Sequence, residues 1–419
     1  MSSSSTAAEP LKNVVVVGAA SGIVTANLLA SKLPPTHRLV LIEANEVAFW
    51  PIGALRAAVE QAFEKEIVAP LTHLYQDHPR HVVLNKTRVV GLEPNAVIVD
   101  RLAPEHLDLA ASGTPAAGAS ERNGGGHRIE FDRAVLALGS SYSFPSRTVA
   151  PEEAKILESF QTAQREIEAA QHLLVIGGGP VGVEFVGEVL ERHPQKASGI
   201  TLVTNSNRLV SKDGKQEGVH DKLLSQLQKK GINIVFEDEV DFGDVPLRTG
   251  AVEGGRKTFK TKNKGVEIHA DYLLDGTGGK PNTSLVASVD ASVLNGVGAI
   301  KVDAALRVKS DGSSSAFDWS RYLATGDCND LPCAKTWFAA EGQAKTAAHN
   351  VLELIKAEGG PTASHPKVQD ASIPPNMIVV PLGKRGGASQ LFFVSLGGWF
   401  TSLAKGNSLF VSQFKGYYR

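Results

Sequence analysis

The chain reads one pattern twice. "VVVVGAASGIVTANLLA", Val14 to Ala30, and "HLLVIGGGPVGVEFVGEVLER", His172 to Arg192, each pass from an apolar run through a glycine turn into a helical pattern. A β-branched run such as Val14–Val17 suits a strand buried on both faces. In the second copy Gly177, Gly179 and Gly182 satisfy G-x-G-x-x-G. In that spacing the first glycine allows the tight turn, the second lets backbone approach a pyrophosphate, and the third lets the helix pack on the strand. Phosphate charge then meets free N–H groups at the helix start. The repetition predicts two nucleotide-binding βαβ units in one polypeptide.

The first copy departs from the spacing. Gly18 keeps the first position, Ala20 replaces the second glycine and Ile23 the third, while Gly22 falls one residue early. The Ala20 methyl is expected to crowd a pyrophosphate without excluding it, and Ile23 to push the helix slightly off the strand. "HRLVLIEAN" gives a second strand ending in Glu43, a carboxylate at the distance expected for a ribose 2′-OH. In the second unit the equivalent strand ends at Thr204, followed by Asn205. No carboxylate there repels a 2′-phosphate, and Arg208 and Lys212 lie just beyond. NADPH is therefore permitted beside NADH, although the two cations can equally face solvent. The turn "GAASGI" also resembles that of short-chain dehydrogenases. That reading fails, because Val24 stands where it needs glycine and no tyrosine has lysine four residues on.

Length and charge bound the rest. A chain of 419 residues, 42% hydrophobic, is too long for one ordinary core and predicts two to three domains. Lys and Arg number 43 against 44 Asp and Glu, so no global field draws the chain to nucleic acid or an acidic membrane. The two cysteines, Cys328 and Cys333, are few for a secreted protein and point to a reducing compartment. The opening "MSSSSTAAEPLK" has no signal pattern, and Ser2 excludes N-myristoylation. No apolar run approaches the roughly 20 residues that span a bilayer. The expectation is a soluble, cytoplasmic protein, with no residue singled out as a metal ligand.

Between Leu102 and Arg128 an Ala-, Gly-, Ser- and Pro-rich stretch reads as a flexible insertion between two strands. "FDRAVLALGSS" resumes with a strand ending at Gly139, and "ADYLLDGTGGKPNT" is a later strand with a Gly-rich end. Most telling is "RYLATGDCND", a strand running into Gly326-Asp327. Such an ending, late in a two-domain chain, can bring a carboxylate to a flavin's ribityl chain and direct the next helix's N-terminus at the isoalloxazine. The fold expected is α/β, with two Rossmann-like dinucleotide-binding domains and a small C-terminal α+β region. Residues 10–148 and 293–370 form the FAD-binding domain, 149–292 the NAD(P)H-binding domain, and 371–419 the C-terminal region.

On these residues the chain resembles the apoptosis-inducing-factor-like flavoproteins of the AMID group, also called ferroptosis suppressor proteins, and more distantly the type II NADH dehydrogenases. "ALRAAVE", "GVEFVGEV", "ATGDCND" and above all "LAKGNSLFVSQFKG" carry the resemblance, which covers nearly the full chain. It implies FAD as cofactor and NAD(P)H:quinone oxidoreduction, hydride passing from nicotinamide to flavin and electrons then to a quinone such as ubiquinone. By position it implies that Gly18, Ala20, Ser21 and Gly22 form the FAD pyrophosphate loop, and that Glu43, Arg56, Val89, Gly139, Gly326 and Asp327 contact FAD. Gly177, Gly179 and Gly182 would hold NAD(P)H. Glu184 of the "GVE" motif would orient the nicotinamide or relay a proton, the alternative being a carboxylate matched to a helix dipole. Lys335 of "CAKTWF" would stabilise the reduced ring or protonate the quinone, the alternative being a surface lysine. The family often carries a myristoylated glycine after Met1. Ser2 stands there instead, so that targeting is not carried over. Peripheral membrane attachment, at the mitochondrial outer face or a lipid droplet, remains implied.

Three features leave alternatives open. Cys328 and Cys333 have the spacing of a disulfide-reductase pair but lie beside the Gly-Asp strand, so both are read as structural. The tail, with Phe392, Phe393, Trp399, Phe400, Leu403, Leu409, Phe410 and Phe414, is read as internal packing, membrane contact or a dimer face, in a monomer or homodimer. The competing functions are a ferredoxin- or disulfide-type reductase and a cell-death-related signalling flavoprotein. Nucleic-acid binding is disfavoured by near-zero net charge and the lack of a Lys/Arg cluster.

Overall fold

The computed structural model describes residues 10–109, 126–210, 217–310, 317–359, 365–375 and 377–419. Lys212, residues 110–125 of the Ala/Gly/Ser/Pro-rich stretch, and the N-terminal segment with Ser2 lie outside the described residues. In chain order the elements that position the site are β1 (Lys12–Val17), α1 (Gly22–Lys32), β2 (His37–Ile42), β3 (Val82–Leu84), β4 (Arg133–Leu136), β5 (Leu173–Ile176), α2 (Pro180–Arg192), β6 (Ile200–Val203), α3 (Glu217–Lys229), β7 (Asn233–Val235), β8 (Gly250–Ala251), β9 (Tyr272–Asp275), β10 (Tyr322–Ala324), α4 (Trp337–Gly359), β11 (Ile378–Leu382), β12 (Gly386–Leu391), β13 (Val394–Leu396) and α5 (Val411–Tyr417).

Two five-stranded sheets organise them. The first has the order β10-β4-β1-β2-β3 and is parallel throughout. The second has the order β7-β6-β5-β9-β8, parallel except for the edge strand β8. In each, the strand before the glycine turn sits between its successor and a later strand. Val14 pairs with Leu39 on one side and Arg133 on the other. Chain order reverses at β1 and at β5, and the crevice beyond the C-terminal ends of strands at such a point is where this architecture binds ligands.

The valine run explains its own burial. Val14 and Val16 enter one core with Ile23 and Leu29 of α1, while Val15 and Val17 enter another with Val97, Val99 and Ile129. Alternate side chains point to opposite faces of a strand, so a strand covered on both sides must be apolar at every position. The second core includes an antiparallel meander. Its strands Ala96–Val99 and His127–Glu130 pair directly, which places the Ala/Gly/Ser/Pro-rich stretch between two neighbouring strands.

Ile23 does not hold α1 off the sheet. Gly22 makes the close approach instead: a Cβ there would lie 2.9 Å from Val16 Cγ1 and 3.1 Å from Ala137 Cβ. Ile23 is fully buried in the core. The glycine that falls one residue early in the sequence therefore serves helix–strand packing.

The C-terminal region is the small α+β unit, with β11-β12-β13 as an antiparallel sheet. It packs on the second unit, where a Cβ at Gly187 of α2 would lie 2.4 Å from Leu382 Cα. Only a glycine lets sheet backbone come so near that helix. Gln226 of α3 adds hydrogen bonds to Gly387 N (2.8 Å) and O (3.0 Å). The last helix then crosses to the first unit. Asn27 Nδ2 donates to Tyr417 O (2.9 Å), the Tyr418 hydroxyl donates to Ala19 O (2.9 Å), and Phe414 stacks on Trp50 at 5.2 Å. The tail clamps the two nucleotide units together.

Candidate functional site

Between the two units lies a cleft of about 1590 Å³. Its first wall carries Ala20, Ser21, Gly139 and Asp327, and its second Gly177, Gly179, Glu184 and Thr204. Lys335 lies on the rim.

The glycine turns shape these walls from behind. Gly18 and Gly177 adopt φ of +97° and +104°, and a Cβ at either would lie 2.4 Å from a carbonyl oxygen, that of Ala137 or Gly276. Gly182 sits under its own turn, where a Cβ would lie 2.0 Å from Gly177 O. Gly179 and Gly139 have nothing within 4 Å of a Cβ position. Each leaves room on the cleft side for a ligand to meet backbone directly. Ala20 is exposed on the same cleft, so its methyl stands where the glycine of the regular motif would leave space.

Glu43 lies behind the first turn. Its carboxylate accepts from Ala19 N (2.6 Å) and Asn45 N (2.9 Å). Burial pushes this carboxyl up, against the N–H donors that hold it down. Gly326, at φ +76°, packs on Ser21, and its N–H donates to Gln343 Oε1 at 2.8 Å. Asp327 follows and turns into the cleft. It accepts from Ser140 Oγ (2.6 Å) and faces Arg147 Nη2 at 3.7 Å. Arg147 is itself fixed by a bond to Ser140 O (2.7 Å) and lies over the Tyr142 ring at 5.1 Å. Ser140, Tyr142 and Arg147 were not anticipated. Ser140 closes "LALGS" and Tyr142 and Arg147 lie shortly beyond it, so a strand end feeding a cleft was the available signal.

The second wall carries a buried charge network. Glu184 and Glu188 lie one turn apart on α2, and both are buried. Lys405 Nζ lies 2.7 and 2.9 Å from the Glu184 oxygens. Arg56 pairs in two-pronged fashion with Glu188 (2.9 Å each) and also donates to Gly406 O and Asn407 O. Burial pushes both carboxyls up, while the partner cations pull them back. Glu184 and Lys405 line the cleft.

The geometry leaves some expected contacts off the cleft surface. The Arg56 guanidinium is engaged with Glu188 and the tail carbonyls, and Val89 is buried in the meander opposite Val99. Lys335 is exposed, with its Nζ donating to Asn329 O at 2.7 Å. Arg208 lines the cleft near Thr204 but pairs with Glu217 at 2.9 Å. Cys328 is buried, its thiol donating to Thr325 O and pushed up to about 11 by burial. Cys333 lies on the cleft wall, and both thiols are free. None of the helices among the described residues is long and apolar enough to cross a membrane.

The residues fit two dinucleotides. Two positive-φ turns abut one cleft, Gly139 and Gly179 leave open faces on it, and Asp327 offers a carboxylate from a strand end. The family model for pyridine nucleotide-disulphide oxidoreductases matches residues 12–318. Apoptosis-inducing factor homolog A of Dictyostelium discoideum is 24% identical, covering 97% of this chain and 92% of the relative. Human ferroptosis suppressor protein 1 is 24% identical, covering 95% and 93%. Among solved structures, the sulfide:quinone oxidoreductase of Aquifex aeolicus superposes with a TM-score of 0.64 at 17% identity, covering 97% of this chain and 90% of that one. The water-forming NADH oxidase of Lactobacillus brevis gives 0.58 at 16% identity, covering 81% and 69%.

Proposed function

The chain belongs to the pyridine nucleotide-disulphide oxidoreductase family, and from that premise we propose that it is an FAD-dependent NAD(P)H:quinone oxidoreductase. The observation that carries this reading is the single cleft on which Asp327 and the Gly177–Gly179 turn both open, with the Glu184–Lys405 pair on its wall. FAD, when bound, supplies the capacity to take a hydride from a nicotinamide and pass electrons onward.

The chain's own residues supply position and charge. The first turn, with Ala20 and Ser21 facing the cleft and Glu43 behind it, would hold the pyrophosphate and adenosine ribose of FAD. Asp327, oriented by Ser140 and Arg147, would accept from ribityl hydroxyls. Gly177, Gly179 and the start of α2 would take the nicotinamide dinucleotide's pyrophosphate. Glu184, held by Lys405, would fix the nicotinamide carboxamide or carry a proton, burial pushing its carboxyl up and the lysine opposing that push. Lys335, on the rim and within reach of the Asn329 carbonyl, would meet charge developing on the acceptor. Leu391, Met377, Trp337 and Phe338 on the same cleft offer an apolar approach for a quinone ring.

A disulfide- or ferredoxin-type reductase is the second reading. Cys328, fully buried and with a raised thiol, is a poor partner for a redox pair with Cys333. The deciding experiment extracts the cofactor from the purified protein and then follows NADH and NADPH oxidation with a ubiquinone analogue, ferredoxin and a small disulfide. Turnover with the quinone alone supports the first reading. Turnover with the disulfide or ferredoxin alone replaces it.

A further inference from the structure

At one corner the two nucleotide units match hydrogen bond by hydrogen bond, yet their charges are exchanged. In the first unit Gly18 N donates to Ile42 O (2.8 Å), Glu43 N to Leu84 O (2.9 Å), and Thr87 N back to Glu43 O (3.0 Å). In the second, Gly177 N donates to Val203 O (2.8 Å), Thr204 N to Val235 O (2.9 Å), and Asp238 N back to Thr204 O (3.1 Å). Lys86 and Glu237 take the same left-handed turn, at φ +52° and +53°, and donate to Asn45 O (3.0 Å) and Ser206 O (3.1 Å). Arg88 O and Glu239 O then accept from Asp100 N (2.9 Å) and Lys262 N (2.8 Å). Thr204 thus holds the place of Glu43, Glu237 that of Lys86, Glu239 that of Arg88, and Lys262 that of Asp100.

This corner is where such a unit meets an adenosine ribose. A carboxylate there accepts from the 2′-hydroxyl, whereas a cation receives a 2′-phosphate. The first unit has its acid at the end of β2 and cations on the loop after β3. The second has neutral Thr204 at the end of β6 and acids on the loop after β7. The loop position does act on the ribose corner. Against the burial that pushes the Glu43 carboxyl up, Arg88 is one of the groups that pull it down. Glu239, in the equivalent place, lines the cleft beside Thr204 and Asn205. A second hollow of about 710 Å³ shares Asn205, Ser206, Asp238 and Glu239 with the cleft. Its walls hold Glu237, Asp238 and Glu239 and, among the described residues, no lysine or arginine.

The cations near this corner already have acceptors. Arg208 pairs with Glu217 at 2.9 Å, Lys262 with Glu239 at 3.2 Å, and Lys264 Nζ donates to Phe236 O at 2.7 Å. Exposed ion pairs are weak, so a ligand can open them. Opening either pair frees the carboxylate of Glu217 or Glu239 beside the incoming anion. A 2′-phosphate therefore meets like charge whichever of the two cations it takes, while a 2′-hydroxyl can donate to Glu239. Asp238 is committed to the N–H groups of Glu239, Asn263 and Lys264. Glu237 and Glu239 are both exposed, and of the two Glu239 borders the cleft.

We propose that Glu239 sets the nicotinamide preference: its carboxylate accepts from the adenosine 2′-hydroxyl of NADH and repels the 2′-phosphate of NADPH. The opening that Thr204 leaves for NADPH at the end of β6 is closed by the loop after β7. The inference rests on the nicotinamide side of the function proposed above and chooses between the two dinucleotides. The test is isothermal titration of the purified full-length holoprotein with NAD+ and with NADP+, neither of which reduces the flavin. NAD+ is expected to bind at least about tenfold more tightly. Glu239→Gln, at an exposed position, should keep the flavin content and melting temperature while closing the gap to about threefold or less, and Glu239→Lys should invert it. Raising ionic strength from about 0.01 to about 1 M shortens the Debye length from about 30 to about 3 Å and should narrow the wild-type gap. Equal or tighter binding of NADP+ by the wild type overturns the proposal, as does an unchanged ratio in Glu239→Gln. A gap unmoved by salt assigns the selection to shape and overturns it too. A preference for NAD+ without any quinone turnover keeps this inference and rejects the quinone reading. Binding of neither dinucleotide overturns both.

Discussion

Lys405 Nζ lies 2.7 and 2.9 Å from the two carboxylate oxygens of Glu184, so the far C-terminus of the chain reaches the first turns of the helix that leaves the second glycine motif. The pair is mostly buried and borders the cleft. Removing one partner of a buried ion pair leaves the other uncompensated, which costs about 3–5 kcal/mol.

Lys405→Ala is therefore expected to lower the melting temperature and slow flavin reduction by NAD(P)H at least about tenfold. Loss of the cation also removes what pulls the Glu184 carboxyl down, so the pH profile of flavin reduction should move upward. Lys405→Arg should recover part of the rate. Stopped-flow reduction measured across pH checks all three. An unmoved profile in Lys405→Ala rejects the coupling.

The glycines of the second turn should separate into two kinds. Gly182→Ala sets a methyl about 2.0 Å from Gly177 O and is expected to destabilise the protein by about 1–3 kcal/mol. Gly179→Ala meets no protein atom within 4 Å, so stability should hold while nicotinamide affinity falls. Thermal melts and NADH titrations distinguish the two. Ala20→Gly is the converse in the first turn, where flavin retention should rise.

Asp327→Ala should weaken flavin retention by roughly 10–100-fold, the range expected for losing hydrogen bonds to a charged group. Flavin-to-protein stoichiometry after gel filtration reads this out. Ser140→Ala, which removes the 2.6 Å donor that orients Asp327, should produce a smaller loss in the same direction.

Asp238 supplies a pH test of the second unit. Burial opposes its ionisation, but the Asn263, Lys264 and Glu239 N–H groups outweigh that and bring its carboxyl down to about 2. A depressed folded-state value contributes stability above the ordinary carboxylate range, and that contribution fades as pH falls towards 2. The melting-temperature gap between wild type and Asp238→Ala should be widest near neutrality and close as pH falls below about 4.

The βαβ units were legible because their physics is local. The Val14–Val17 run, the Gly177-x-Gly179-x-x-Gly182 spacing and the Gly326-Asp327 strand end each encode a backbone shape within a few residues. Ile23 misled because the position of a helix on a strand depends on where the turn ends, and Gly22 makes that contact one residue sooner. Arg56 and Glu188, or Lys405 and Glu184, are separated by long stretches of chain, and no periodicity announces such pairs. The available hint was two acids at Glu184 and Glu188, one turn apart on an otherwise apolar helix face, which must find cations once buried. Likewise, Arg147 became visible only when the strand end at Gly139 and the Asp327 turn met at one wall.

The most direct test is anaerobic rapid mixing of the flavin-reconstituted protein, first with NADH or NADPH and then with a ubiquinone analogue. The nicotinamide is expected to bleach the flavin band near its absorbance maximum, and the quinone to restore it within the turnover time. A protein that takes up no flavin, or whose bound flavin is untouched by either nicotinamide, would overturn the quinone-reductase reading.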